Sequence, residues 1–213
     1  MMTLYTGIAD SAMQEMLKKK YGEIIFTPLI EIVPVKDKSQ LKEVASKIYD
    51  FDYLLFTSRF AVKYFVEYLS LPFNKKLQVV SIGTTTSQTL VKYGITDFQQ
   101  CENDNSYGVI DWFLSKNRGK ILFPRSEIAL PIIPEGLTSL GFETVTVTAY
   151  SNVMPSEVKK VDLNEISRIV FSSPSTIDNF ERLYGSLPAD KEYVARGPVT
   201  ERHLQNILSK YQL

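Results

Sequence analysis

LLFTSRFAVKYF, at residues 54–65, and IVFSSPSTIDNF, at residues 169–180, are two versions of one segment. Each begins with an apolar run typical of a buried strand, continues through adjacent hydroxyl residues and ends with apolar residues at helical spacing. Ser58 and Ser173 occupy the same place in the two versions, at an offset of 115 residues. The chain therefore contains a strand, polar turn and helix that are present twice.

A second pair of segments repeats at almost the same offset. VVSIGTTTSQTL, at residues 79–90, resembles YVARGPVTERHL, at residues 193–204, and Gly83 aligns with Gly197. In both copies a threonine follows three positions after the glycine. The pattern predicts another strand that leads through a glycine turn into a helix.

A third pair links residues 3–32 with residues 120–150, and each reads as strand, helix, glycine and long extended run. Three matches at a nearly constant offset predict a duplicated α/β unit with parallel strands. The third unit opens the chain in one copy but comes last in the other. The simplest arrangement therefore inserts one lobe into another lobe that is built from both ends of the chain.

The predicted fold is α/β, with two parallel-sheet lobes that face each other across a cleft and are joined by a two-stranded β ladder. The first lobe is discontinuous and comprises residues 1–22 and 154–213. The second lobe, residues 36–143, is inserted in the first. The long extended runs at 23–35 and 144–153 are the expected connecting strands.

Composition argues against several classes of function. The 213 residues include 24 basic and 24 acidic side chains, so no net positive field favours nucleic acid. No apolar run approaches the roughly 20 residues that cross a bilayer, and we expect no membrane association and no signal peptide. Cys101 is the single cysteine, which excludes an internal disulfide and fits the cytoplasm.

The usual residues for metal and nucleotide chemistry are missing from the sequence. There is one histidine, His203, on a predicted surface helix, so a metal cluster or a Ser-His-Asp triad is not expected. Neither GxxxxGK[ST] nor GxGxxG occurs, and both motifs cradle nucleotide phosphates. We therefore expect a protein that works without metal or cofactor.

Hydroxyl residues gather where predicted strands lead into helices, which is where open parallel sheets bind ligands. They include Ser58 and Ser173 in one pair of loops, and Thr84, Thr86 and Thr200 in the other. A helix N-terminus favours a carboxylate or phosphate by about 0.3–1 kcal/mol. The alternative is that these side chains only cap helices, at about 1 kcal/mol each. Both remain open at any one position, whereas clusters in four loops favour a polyanion.

Seven segments occur in the order seen in uroporphyrinogen-III synthases: PLIEIVP, DYLLFTSRFAV, VSIGTTTSQTL, ILFPRSE, GFETVTVTAY, IVFSSPSTIDNF and GPVT. The resemblance covers nearly the whole chain. It implies two flavodoxin-like lobes joined by a two-stranded ladder, and a cofactor-free enzyme of tetrapyrrole and heme biosynthesis. Its substrate would be hydroxymethylbilane, a linear tetrapyrrole with eight carboxylates, which is closed to uroporphyrinogen III with ring D inverted.

The same resemblance implies roles for individual residues. Tyr150 matches a tyrosine on the second crossing strand and is the candidate for general acid or for orienting the leaving hydroxyl, with simple packing at the hinge as the alternative. The residues implied to bind substrate are Ser58, Thr84, Thr86, Arg125, Ser173, Ser175 and Thr200.

We expect a monomer that makes transient contact with hydroxymethylbilane synthase, the source of the substrate. The alternative function is that of a non-catalytic, two-lobed cytosolic protein that closes on a small anionic ligand. Separating the I and III isomers after incubation with hydroxymethylbilane would distinguish the two.

Overall fold

The structure is a computed structural model that describes residues 2–73 and 76–211. These residues form ten strands: β1 Met2–Tyr5, β2 Ile24–Phe26, β3 Glu31–Pro34, β4 Tyr53–Phe56, β5 Gln78–Ile82, β6 Gln99–Cys101, β7 Lys120–Ser126, β8 Glu143–Val153, β9 Ile166–Phe171 and β10 Glu192–Ala195. They also form eight α-helices: α1 Ser11–Tyr21, α2 Ser39–Ser46, α3 Arg59–Phe65, α4 Thr84–Lys92, α5 Ser106–Leu114, α6 Ile132–Ser139, α7 Pro174–Tyr184 and α8 Pro198–Tyr211. Short 3₁₀ helices lie at Ile48–Asp50, Val66–Tyr68 and Leu163–Glu165.

The chain folds into two compact units, one inserted in the other. Unit 1 comprises Met1–Glu31 and Asn152–Leu213, and unit 2 comprises Ile32–Ser151. The chain therefore passes from unit 1 into unit 2 and back once. The role of residues 23–35 and 144–153 as strands that connect the lobes stays a prediction.

Unit 1 is built on a four-stranded parallel sheet in the order β10-β9-β1-β2. Counted along the chain within this unit, the order is 2-1-3-4, which is the start of the flavodoxin-like order 2-1-3-4-5. The central strands β1 and β9 pair Leu4 with Ile169, and both side chains are fully buried. Phe171 and Phe180 pack edge to face beside them, so one apolar cluster lies between the sheet and the helices α7 and α8, and a second contains Tyr5, Leu17 and Val170.

Unit 2 is built on a six-stranded sheet in the order β3-β8-β7-β4-β5-β6, with parallel pairing from β8 to β6. Counted from β7, the five parallel strands follow the same order, 2-1-3-4-5. Unit 2 is therefore a circular permutation of the flavodoxin-like order. This explains why the third repeated segment opens the chain in one copy and comes last in the other.

The two faces of the unit 2 sheet belong to separate apolar clusters. Side chains alternate along a strand, and β4 shows this directly. Leu54 and Phe56 pack in one cluster, whereas Tyr53 and Leu55 pack in the other. A strand buried on both faces reads as a continuous apolar run, which is the pattern by which the sequence predicted β4.

The expected long strand at 23–35 is wrong as a single element. It consists of β2, in the unit 1 sheet, and β3, in the unit 2 sheet. Between them the amide groups of Thr27 and Leu29 donate to carbonyl groups at the end of β1, at 3.0 and 2.8 Å. Pro28, between the two, has no amide hydrogen to donate, so regular pairing stops here.

Two helices in unit 2 have well-defined ends. The helix α3 ends at Phe65 and continues as the 3₁₀ turn Val66–Tyr68, a common way for a helix to tighten at its end. The helix α4 begins at Thr84, directly after Gly83, which stands at its N-cap with φ 73°. Such a backbone conformation is readily adopted only by glycine.

Candidate active site

Tyr150 and Ser58 form a hydrogen-bonded pair in unit 2. Tyr150 lies near the end of β8, and its hydroxyl donates to Ser58 Oγ at 3.0 Å. Ser58 is the N-cap of α3, and its Oγ also accepts from the backbone N–H of Phe60 at 3.2 Å. The Phe60 ring lies against the Tyr150 ring, with centroids 5.9 Å apart. Capping and packing thus hold the phenol in one position.

The Tyr150 phenol is held in its neutral form. Its side chain is buried, with 8% of the residue exposed. Burial raises the pKa of Tyr150 above its usual value of about 10, and the hydrogen bond with Ser58 partly opposes that rise. At neutral pH the group therefore carries its proton and is suited to donate one rather than to act as a base.

Arg125 lies on β7, next to the strand that carries Tyr150. Its backbone pairs with that of Thr148, and the neighbouring Ser126 pairs with Tyr150 after an irregularity in the register. The guanidinium bonds to the carbonyl oxygen of Ala129, and burial lowers the pKa of Arg125 without removing its charge. One part of the guanidinium fork therefore holds the loop after β7, and a guanidinium has further donors for a ligand.

In unit 1, Ser173 lies between β9 and α7, where Thr176 provides the bonds of a capping box. The Thr176 hydroxyl accepts from the Ser173 N–H at 3.3 Å and donates to the Ser173 carbonyl at 2.7 Å. Ser173 Oγ itself is buried and forms no hydrogen bond with the described residues. Ser175 is half-buried in the first turn of the same helix. Ser173 thus stands at the N-cap of α7 within a capping box, and contact of its hydroxyl with substrate stays a prediction.

The threonines of the two glycine loops occupy matching places. Thr86 and Thr200 are each the third residue of a helix, and they are 4% and 3% exposed. Gly83 and Gly197 precede the two helices with φ 73° and 97°. Of the three predicted threonines only Thr84, at the start of α4, is exposed. An anion at either loop would meet the N-terminal N–H groups first, and the roles of the three side chains stay predictions.

The structure thus groups the predicted residues by unit. In unit 2 it brings together Tyr150 and Ser58, with Arg125 on the adjacent strand. In unit 1 the residues Ser173 and Thr200 follow the neighbouring strands β9 and β10, whose carboxyl ends meet at one edge of the sheet.

Sequence reasoning missed Ser126. Its buried hydroxyl lies beside the Tyr150 phenol and, together with Ser58, partly opposes the rise in the pKa of Tyr150, and its backbone pairs with that of Tyr150. The signal was its place directly after Arg125 in the ILFPRSE segment.

Across the described chain, no group of three or more His, Cys, Asp or Glu side chains is placed to hold a metal ion. No helix of that part is long and apolar enough to cross a membrane.

Comparison with known proteins gives a consistent result. Residues 11–209 match the family described as uroporphyrinogen-III synthase HemD. A uroporphyrinogen-III synthase from Chlorobaculum parvum is 27% identical over 89% of this chain and 82% of that protein. A mutant uroporphyrinogen III synthase from Thermus thermophilus has a similar fold, with a TM-score of 0.65, 16% identity, and coverage of 96% of this chain and 88% of that one. The Helicobacter pylori uroporphyrinogen-III synthetase also has a similar fold, with a TM-score of 0.59 and 18% identity. That match covers 96% of this chain and 87% of the other.

Proposed function

The chain belongs to the uroporphyrinogen-III synthase family, the cyclising enzymes of porphyrin biosynthesis, and we propose that Tyr150 and Ser58 carry its chemistry on hydroxymethylbilane. The observation that supports this assignment is the 3.0 Å hydrogen bond between a buried, neutral phenol and a fixed serine hydroxyl. The reaction removes one molecule of water and joins the two ends of the linear tetrapyrrole, with ring D inverted.

Loss of the terminal hydroxyl is the step that needs a proton. Tyr150 gives its proton to the leaving oxygen while the carbon–oxygen bond breaks, and the electron-rich pyrrole supplies the electron pair. Water leaves, and the phenolate is held by a hydrogen bond that the Ser58 hydroxyl turns around to donate. To invert ring D, its carbon that carries the methylene bridge to the rest of the chain attacks the cationic methylene, and the bond from that carbon to the bridge then breaks, which leaves the cation on the bridge. The free α-carbon of ring D bonds to the bridge and loses its proton, which restores the phenol. No proton is consumed overall.

Binding and orientation contribute the rest of the rate. Closing a flexible chain is favoured when its ends are held together, because orientation entropy is lost on binding rather than in the transition state. The substrate carries eight carboxylates, and the unit 1 and unit 2 loops offer hydroxyl groups and helix N-termini to them. We assign this role to Ser58, Thr84, Thr86, Arg125, Ser173, Ser175 and Thr200.

The cellular setting forms a further part of the proposal. The chain has one cysteine and forms no internal disulfide, which fits the reducing cytoplasm. We expect a monomer that receives hydroxymethylbilane by transient contact with hydroxymethylbilane synthase. Cross-linking the two enzymes with and without substrate tests the contact.

Product analysis tests the function. The protein is incubated with hydroxymethylbilane, the products are oxidised to porphyrins, and the I and III isomers are separated. We expect isomer III in excess, because closure without inversion gives only isomer I. A product mixture identical to that of the buffer control would refute the function, and would favour an anion-binding protein without catalysis.

A further inference from the structure

A pocket in unit 1 has no part in the chemistry assigned to Tyr150. It has a volume of about 590 Å³ and lies beside the carboxyl end of β10. Its lining consists of Lys20, Tyr21, Ser172, Val194, Ala195, Arg196 and Gly197. Two of these side chains are cationic and none is acidic. A pocket with this lining attracts an anion by its own charge, independently of the neutral charge of the whole protein.

Arg196 is held in place by buried neighbours. Its Nη1 donates to the Tyr5 hydroxyl at 2.9 Å and lies 3.3 Å from Met13 Sδ. Its backbone N–H donates to the carbonyl of Phe171 at 2.9 Å. Tyr5 is only 1% exposed, so it anchors one edge of the guanidinium. A guanidinium has five N–H donors in a fixed fork, and its remaining donors match the geometry of a carboxylate.

Lys20 supplies the second positive charge. Its ammonium lies over the ring of Tyr21, 5.0 Å from the centroid. Among the described residues, neither Lys20 nor Arg196 forms an ion pair with a carboxylate of the chain. Arg168 on β9, whose guanidinium lies 5.5 Å from the centroid of the Tyr21 ring, is by contrast paired with Glu192 at 2.8 Å. The charges in the pocket are therefore not neutralised within unit 1.

The matching place in unit 2 has the opposite charge. Gly83 is the counterpart of Gly197, and a Cβ at Gly83 would lie 3.3 Å from Asp104 Oδ2. The carboxylate of Asp104 thus stands beside the start of α4, whereas Arg196 stands beside the start of α8. Both copies of the repeated loop have a glycine with positive φ before the helix, but the charged side chains beside the two loops differ. Of the two glycine loops, the unit 1 loop therefore has the more positive surroundings.

We propose that this pocket binds a carboxylate side chain of the tetrapyrrole, with Arg196 as a bidentate donor and Lys20 as the second cation. The proposal rests on the proposed function for the identity of the ligand. The N–H groups at the start of α8 add a favourable dipole beside the two cations. The site sets affinity rather than the rate of the chemical step.

The test compares charge-removing variants that differ only in position. Arg196→Gln and Lys20→Gln each remove one charge from the pocket, and Lys18→Gln removes one from the same helix outside the lining. The dissociation constant of uroporphyrin III, an octacarboxylate, is measured by fluorescence, together with KM and kcat for hydroxymethylbilane. We expect Kd and KM to rise roughly tenfold in each pocket variant, as for loss of one charge-assisted hydrogen bond. The Kd and KM of Lys18→Gln should stay within about twofold of the wild type, and so should the kcat of all three variants.

The outcomes separate this proposal from the function on which it rests. If the wild type makes isomer III and both pocket variants bind uroporphyrin III as Lys18→Gln does, the pocket is not a carboxylate site. If the wild type makes no isomer III, the function fails, and the porphyrin titration still decides whether the pocket binds carboxylates. Arg196→Gln also removes the bond to Tyr5, so thermal unfolding is recorded. Lys20→Gln, which loses only the contact of the ammonium with the Tyr21 ring and no hydrogen bond or ion pair among the described residues, decides the matter if Arg196→Gln unfolds.

Discussion

Replacing Tyr150 by Phe separates the chemistry of the phenol from its packing. The ring and its contact with Phe60 stay, and only the hydroxyl and its 3.0 Å bond to Ser58 are lost. One hydrogen bond between neutral groups contributes about 0.5–1.5 kcal/mol to the free energy of unfolding. For a protein of this size, that corresponds to a fall in Tm of roughly 2–4 °C per kcal/mol. Ser58 still accepts from the Phe60 N–H, so α3 keeps its cap.

The expected effect on catalysis is much larger than the effect on stability. If the phenol is the proton donor, its loss lowers kcat for isomer III by about tenfold to a thousandfold, a span that overlaps the usual general-acid contribution. Tyr64→Phe is the matched control, because it also removes one hydroxyl bond in unit 2, from Tyr64 to the Ile32 carbonyl at 3.0 Å. We expect the control to lose similar stability and to keep its turnover.

Initial rates of isomer III formation are measured under substrate saturation, beside thermal unfolding of both variants. The pH dependence adds a second readout. Because burial raises the pKa of Tyr150, the active, protonated form persists above pH 10, and activity that depends on it is lost only beyond that pH. Wild-type turnover in Tyr150→Phe, or equal losses in both variants, would remove Tyr150 from the mechanism.

Three other predictions concern single positions. Thr86→Ala and Thr200→Ala should each raise KM roughly tenfold through loss of the proposed bond to a carboxylate, and should lower the free energy of unfolding by about 1 kcal/mol because both side chains are buried; an unchanged KM beside the lower stability would show that the two hydroxyls only support their helices. Burial raises the pKa of the Cys101 thiol from 9.0 to about 11. The stability that the buried, neutral thiol contributes is therefore complete below pH 9 and is lost as the pH rises through 11. Denaturant titrations at several pH values should show a smaller alkaline loss in Cys101→Ala, and equal losses would contradict this. In Gly108→Ala the new Cβ would lie 2.4 Å from a backbone oxygen, and we expect the free energy of unfolding to fall by about 1–3 kcal/mol. In Gly136→Ala the new Cβ meets the end of a side chain that can move, so we expect a smaller fall. Equal falls in denaturant titrations would show that the backbone adjusts.

The repeats predicted the architecture because each copy carries the same local signals. An apolar run, a polar turn and a helical pattern in fixed order leave few topologies, and the displaced third segment indicated the insertion. The break at 27–30 could not be predicted in the same way. It depends on bonds from Thr27 and Leu29 to the end of β1, more than 20 residues earlier. The extended composition of 23–35 is the same whether these residues form one strand or two.

The site was only partly predictable. The contact between Tyr150 and Ser58 joins residues 92 positions apart, and only the family resemblance indicated Tyr150. The burial of Thr86 and Thr200 had a readable signal that was missed. Leu90 and Leu204 follow them by four residues, which places each pair on one helix face, and both leucines are in the core. The charge contrast between the two glycine loops needs the positions of Arg196 and Asp104, which local sequence does not give.

The insertion of unit 2 also sets the order in which the protein can assemble on the ribosome. Unit 2 is one continuous stretch and can fold once Ser151 has emerged, whereas β1 must wait for β9. At about 5–20 residues per second, the time between the synthesis of β1 and the synthesis of β9 is on the order of ten seconds. During it Leu4 and Leu29, which are 1% exposed in the finished fold, have no unit 1 core to enter. The part of unit 1 that precedes unit 2, residues 2–31, is therefore a natural binding segment for a chaperone.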